Sequence, residues 1–183
     1  MPTFLKMTFT TPSLGRGGFI HYRSAFDCGV EALDNWLRQT TLQHQRKGIS
    51  RSFVAVPNDD QSVAAFRNDG YEDVCTNSIV GFYALTSAHV SIDDLPAGVA
   101  KRYPRRIPVT RLGRLAARID MQGQGLGRLL LADAVNRAQG AAHSVGSAGI
   151  VVDAKSDRAS RFYRAFGFRP CEDQPLILYL PMS

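Results

Sequence analysis

Residues 121–134, MQGQGLGRLLLADA, set Gly123, Gly125 and Gly127 at every second position ahead of an apolar run with helical character. Each of these glycines forfeits conformational entropy that alanine would not lose, so a close partner must justify them. The first-turn N–H groups of a helix lack intrahelical acceptors, and a phosphate is the ligand they suit best. One charge at a helix end gains only about 0.3–1 kcal/mol. Several amides and Arg128 are therefore needed together to hold a pyrophosphate. The residues ahead of the loop point the same way. Residues 101–128 carry eight Lys or Arg and one Asp, a local net charge of +7 in a chain whose formal net charge is +6. Such a block suits a polyanion: nucleic acid, a phosphate-rich ligand or a membrane surface. A solvated basic face is the plain alternative.

Several chemistries are excluded. A P-loop needs Gly-Lys-Ser/Thr at its end, whereas Gly127 is followed by Arg128 and Leu129. A dinucleotide fold could use Asp153 at the end of GIVVDA for a ribose. Its glycine spacing is wrong, however, and too little chain follows Asp153 for a doubly wound sheet. No GxSxG nucleophile elbow is present. With no CxxC pair and with His21, His44, His89 and His143 scattered, no metal site is expected. Cys28, Cys75 and Cys171 are odd in number and far apart, which fits a reducing compartment. No apolar stretch is long enough to span a membrane and the N-terminus is too polar for a signal peptide, so a cytoplasmic protein without membrane contact is expected. The length of 183 residues suits one domain, taken as 1–183.

The elements that would position these residues follow from periodicity. Val30, Leu33, Trp36, Leu37 and Leu42 fall near helical spacing within 28–47, with Asp27 as N-cap and Gly48 as terminator. RSFVAV (51–56) and SIVGFYALTSAHV (78–90) read as strands. The acidic connection 57–77 between them reads as a hairpin extension or mobile loop. Residues 95–106 read as a short helix or irregular segment. A strand over 107–117 then leads into the glycine loop and a helix over roughly 126–140. GIVVDA (149–154) is a buried strand. A helix capped by Ser156 and closed by Gly167 follows, and PLILYLP (175–181) is a last strand. The expected class is α/β: a mixed sheet with flanking helices.

Three segments now resemble one family. Gln122-x-x-Gly125-x-Gly127 matches the Q/R-x-x-G-x-G/A signature of the GNAT N-acetyltransferase superfamily. The strands RLGRLAA and GIVVDA flank the loop and its helix as they do in that superfamily, and ASRFYRAFGF resembles its A-x-x-F-Y-x-x-x-G-F segment. The resemblance implies the GNAT fold, a mixed central sheet whose splayed parallel strands bind acetyl-CoA. By position it implies that amides of Gln124, Gly125, Gly127 and Arg128, with Gln122, Gly123 and Leu126 beside them, hold the pyrophosphate. It also implies that the backbone of Leu115, Ala116 and Ala117 meets the pantetheine arm and the oxyanion, and that Phe162 lines the cofactor site. Tyr163 takes the position of the family's general acid, which protonates the departing thiolate. Its alternative is a core aromatic beside Phe162 and Phe166.

FDCGVEALDNWL, RSFVAV, IVGFYALTSAHV, RIPVTRLGRLAA and LILYLP resemble more narrowly the GNAT toxins of bacterial toxin–antitoxin pairs. That resemblance implies acetylation of the α-amine of aminoacyl-tRNA, a block of translation, a ribbon–helix–helix antitoxin and a homodimer. Lys101, Arg102, Arg105, Arg106, Arg111 and Arg114 are the candidates for the tRNA phosphates. Arg111 and Arg114 are three apart on a strand and so point to opposite faces. Arg114 is the first choice for the mouth of the site, with a structural ion pair as its alternative. A peptide α-amine titrates near 7.7–8.0, about the working pH, so no dedicated base is required. Trp36 reads as a core residue or as a wall of the amino-acid pocket. Two other readings stay open: a GNAT enzyme for a different amine, and a non-catalytic module that binds CoA or nucleic acid.

Overall fold

The computed structural model describes residues 4, 7–12, 22–96, 98, 103–171 and 173–182. Strand β1 (Met7–Thr10), which the sequence pattern did not reveal, precedes the first helix. Helices α1 (Glu31–Asn35) and α2 (Thr41–Arg46) are joined by one π-helical turn, Trp36–Thr40, within the predicted helix. Asp27 does not cap it. Val30 holds the N-cap position without a side-chain bond, while Asp27 Oδ1 accepts from Gly29 N at 2.7 Å in the turn before. The buried Asp34 carboxylate accepts from Cys28 N at 3.0 Å. Gly48 closes α2 with φ +68°.

Strand β2 (Arg51–Pro57) leads into helix α3 (Asp60–Asn68), which occupies the connection expected to be a loop. Asp59 caps α3, accepting from Ser62 N at 2.7 Å, and Val63 and Phe66 bury its inner face. Strand β3 (Gly81–Ser91), a 3-10 turn (Ile92–Asp94) and strand β4 (Arg106–Ala117) follow. A second 3-10 turn (Ile119–Met121) and the glycine loop precede helix α4 (Leu126–Val145), longer than its predicted span. The chain then forms β5 (Gly149–Asp153), α5 (Asp157–Arg164), the short β6 (Arg169–Pro170) and β7 (Ile177–Pro181). Ser156 caps α5, accepting from Ala159 N at 3.2 Å, and Gly167 follows with φ +87°, both as expected.

The sheet has seven strands in the order β1-β2-β3-β4-β5-β7-β6. β4 and β5 pair in parallel, from Thr110 opposite Ile150 to Leu112 opposite Val152, whereas β5–β7, β6–β7 and β1–β2 are antiparallel. This is the mixed α/β sheet with helices that the sequence pattern implied.

The chain forms two compact units. The first is Met1–Ala84 with Arg114–Asp133, and its core joins Phe26, Trp36, Leu37, Val54, Phe82 and Ala116. Phe26 meets Phe82 edge-on at 5.4 Å between ring centroids, a geometry that adds about 0.5–1.5 kcal/mol beyond area burial. The second unit is Leu85–Gly113 with Ala134–Ser183, built on Leu95, Ile107, Val109, Val151 and Tyr179. There Gly149 lies against the Tyr179 ring, where a Cβ would collide, and Tyr179 Oη donates to Ala148 O at 2.7 Å. No described helix is long and apolar enough to cross a membrane.

Candidate active site

In the first unit, β4 delivers the chain to the glycine loop along a fixed path. Arg118 N donates to Val80 O and Ile119 N to Asp27 O, both at 2.9 Å. Met121 is fully buried, and Gln122 turns inward, its Nε2 donating to Cys28 O at 2.9 Å and Ala117 O at 3.1 Å. Gln122 therefore anchors the base of the loop. Gly123 (φ +76°) and Gly125 (φ +98°) adopt the left-handed conformation that only glycine enters without strain. Gly125 O accepts from Arg128 N at 3.0 Å and Leu129 N at 3.3 Å, which starts α4. Among the described residues, the N–H groups from Gly123 to Gly127 find no protein acceptor. Leu126 and Leu130, both fully buried, seat the helix, and Leu130 packs so close to Gly81 that a Cβ there would approach it to 2.8 Å. The result is a rigid row of open amides at the positive end of a 20-residue helix. The Arg128 N–H belongs to the helix ladder and is not part of this row.

Ala116 packs its methyl in the aromatic core, Ala117 O is held by Gln122, and Leu115 is half-buried. Arg114, on the same strand, lies over Trp36, with the guanidinium carbon 4.2 Å from the ring centroid. Trp36 in turn stacks on Phe82 at 5.9 Å and 14° and meets His44 edge-on. Burial lowers the Arg114 pKa from its ordinary value. Among the described residues Arg114 makes no ion pair, so its alternative reading is replaced by a cation–π stack. Trp36 is a core residue at 7% exposure and also the platform for Arg114; its buried Nε1 has no hydrogen-bond partner among the described residues.

In the second unit, Tyr163 sits on α5 at 8% exposure. Phe162 meets its ring at 5.2 Å and 69°, and Phe168 at 5.6 Å and 59°. Among the described residues its hydroxyl has no hydrogen-bond partner, and burial pushes its pKa up to about 12. The group is fully protonated at neutral pH and has a proton to donate. Arg111 pairs with Asp153, so it answers a carboxylate of its own unit. Arg105 and Arg106 are exposed. Lys101 and Arg102 lie outside the described residues. Among the described residues no group of His, Cys, Asp or Glu could hold a metal ion.

Two features escaped the sequence pattern. One is the Trp36–Arg114 stack, whose members are far apart in the chain. The other is a set of bonds from the return loop of α3: Tyr71 Oη donates to Gln124 Oε1 at 2.9 Å, and Asp73 grips Arg118. Arg118 stood in the basic stretch, but nothing local marked Tyr71 or Asp73.

Comparison with known proteins supplies the wider frame. The profile of the acetyltransferase (GNAT) domain family matches residues 58–170. A "tRNA-acetylating toxin" of Mycobacterium tuberculosis is 38% identical over 160 residues, covering 87% of this chain and 86% of that protein. Among solved structures, the toxin AtaT complexed with acetyl-methionyl-tRNAfMet superposes with a TM-score of 0.78 at 28% identity, covering 96% of this chain and 94% of that one. A tyrosine-to-phenylalanine mutant of AtaT, bound to the C-terminus of the antitoxin AtaR and to acetyl-CoA, gives 0.72 at 26% identity over 97% and 94%. With its glycine loop, its mixed sheet and these matches, the chain belongs to the GNAT acetyltransferase family.

Proposed function

We propose that this protein transfers the acetyl group of acetyl-CoA to the α-amine of the amino acid on charged tRNA and so blocks translation. The observation that carries the reading is the 38% identity, over most of both chains, to a protein named as a tRNA-acetylating toxin. The row of open amides from Gly123 to Gly127 supports it, since a pyrophosphate-bearing donor is what such a row suits. We assign the pyrophosphate to these amides and to the Arg128 side chain, and the pantetheine arm to the backbone of Leu115 to Ala117.

The chemistry then follows from the residues. The neutral amine attacks the thioester carbonyl, a carbon–nitrogen bond forms, and the carbon–sulfur bond breaks. Tyr163 gives its proton to the departing sulfur, and the proton that the amine loses returns the tyrosine to its neutral form. A positioned acid of this kind contributes about 10²–10⁴-fold. A backbone N–H of residues 115–117 is assigned to the developing oxyanion. Arg114, Arg105 and Arg106 are assigned to tRNA phosphates, Lys101 and Arg102 with them by sequence alone; Arg111 is left out because Asp153 holds it.

We assign neutralisation to a cognate antitoxin of the ribbon–helix–helix type, and assembly to a homodimer in which residues 1–183 serve as one acetyltransferase domain. The structure of AtaT with the C-terminus of AtaR supports an antitoxin partner.

The test is acetyl transfer from labelled acetyl-CoA to a pool of charged tRNAs, with uncharged tRNA as control. Label on charged tRNA alone is the expected result. Label on free amines or protein N-termini and none on tRNA would replace the substrate.

A further inference from the structure

We propose that Tyr71 and Asp73, on the return loop after α3, are positioning residues for the acetyl donor: they lock the glycine loop in its anion-binding shape. The inference rests on the reading that this loop holds the pyrophosphate of acetyl-CoA. It gives a task to the acidic connection, to which the function above assigned none.

The return loop is itself held firmly. Tyr71 N donates to Phe66 O at 3.0 Å, Arg67 Nε to Val74 O at 3.2 Å, and Val74 is fully buried. The Tyr71 ring meets Phe66 at 6.1 Å, which steadies its hydroxyl. From this base two arms reach the glycine loop. Tyr71 Oη donates to Gln124 Oε1 at 2.9 Å, while Gln124 Nε2 donates to Asp120 O at 3.1 Å. Both ends of the Gln124 amide are thereby fixed, and Gln124 stands between the two glycines with positive φ. The second arm is a fork: Arg118 Nη1 and Nη2 donate to the two Asp73 carboxylate oxygens at 2.8 and 2.9 Å. The same guanidinium donates from Nε and Nη2 to Asp120 at 2.7 and 2.5 Å. Its carbon also lies 5.9 Å from the Tyr71 ring centroid.

Two arguments favour positioning over stability or direct anion binding. First, the Asp73 carboxylate is 71% exposed, against 12% for the Arg118 side chain, and a carboxylate that stays hydrated adds little to folding by its own burial. A bidentate fork fixes direction instead. Secondly, Arg118 faces two carboxylates, and its bonds to Asp120 and Asp73 raise its pKa from the ordinary value. Its charge is answered within the protein, so it is a strut and no phosphate ligand. The bonds converge on residues 118, 120 and 124, just ahead of and within the row of open amides, and leave the amides themselves clear. Amides held in place before the ligand arrives bind it more tightly than amides that must be ordered by it.

The experiment measures KM for acetyl-CoA, KM for charged tRNA, kcat and Tm for the full chain and for Tyr71→Phe, Asp73→Asn and Asp73→Glu. Gly125→Ala serves as the reference for the loop, and S-acetylpantetheine as a donor without pyrophosphate. For Tyr71→Phe and Asp73→Asn the expected result is a KM for acetyl-CoA raised about two- to ten-fold, with kcat and the tRNA KM nearly unchanged. Asp73→Glu should restore much of the loss, and the effect should vanish with S-acetylpantetheine. If Gly125→Ala raises the acetyl-CoA KM and neither Tyr71→Phe nor Asp73→Asn does, the brace is overturned and the loop reading stands. A lower Tm with an unchanged KM also overturns it, since the contacts are then structural. If Gly125→Ala leaves the acetyl-CoA KM unchanged, the loop reading falls and the brace falls with it.

Discussion

The glycine loop and the Tyr163 neighbourhood solve opposite problems by opposite means. The loop, on the proposed reading, presents polar groups to the donor: its N–H groups find no protein acceptor among the described residues while side chains around it are tied down, Gln122 to Cys28 and Ala117, Gln124 to Tyr71 and Asp120. Tyr163, the proposed acid, has to keep one proton; it is packed against Phe162 and Phe168, and its hydroxyl has no hydrogen-bond partner among the described residues. In the proposed mechanism binding is built from backbone and hydrogen bonds, and acidity is set by burial. Substitutions in the two regions should therefore separate cleanly in kinetics.

The largest effect belongs to the proton. Tyr163→Phe should lower kcat about 10²-fold or more while acetyl-CoA binds as before, as rapid-mixing transfer assays and equilibrium dialysis would read. A loss in binding equal to the loss in rate would erase the contrast. Gly125→Ala comes next. It forces an L side chain to φ +98°, which costs about 1–2 kcal/mol and should raise the acetyl-CoA KM about ten-fold with little change in kcat. Gly127, inside α4 and without a positive φ, should tolerate alanine far better.

How much of this was legible depends on the distance over which each feature is encoded. The loop is written in contiguous residues, because positive φ at 123 and 125 demands glycine in the chain itself. The Ser156 cap, the Gly167 stop and the strand at 107–117 are local for the same reason, and all three are observed. Helix α3 was hidden by length. It has nine residues, and the Asn, Asp and Gly around it read as turn formers although Asp59 is in fact its cap. The π-helical turn at Trp36–Thr40 leaves no mark on a 3.6-residue pattern. The stack of Arg114 on Trp36 and the grip of Asp73 on Arg118 join residues far apart in the chain, and charge alone placed Arg114 and Arg111 in one class. Their neighbours separate them: an indole face for one, a carboxylate for the other.

That difference gives the smaller predictions. Arg114→Ala should raise the KM for charged tRNA several-fold and reduce the slope of log affinity against log salt by about one. Arg111→Ala should leave both unchanged and alter stability by about 0–1 kcal/mol, because its pair with Asp153 is 36% exposed on each side. An equal salt-slope change for the two would show that the ion pair opens to tRNA. The mildest test is a pH profile. Tyr163, with its pKa raised to about 12, stays protonated through the working range. The rate should therefore rise as the acceptor amine loses its proton near or below about pH 8. It should then stay flat through about pH 10, where an ordinary tyrosine would already be half ionised.

The most direct measurement compares Tyr163→Phe and Gly125→Ala side by side, reading the acetyl-CoA dissociation constant and the single-turnover rate of transfer to charged tRNA at saturating donor. The expected result is a crossed pattern: normal binding and a rate down about 10²-fold for Tyr163→Phe, weak binding and a near-normal rate for Gly125→Ala. A Tyr163→Phe protein that transfers acetyl at the wild-type rate would contradict the account.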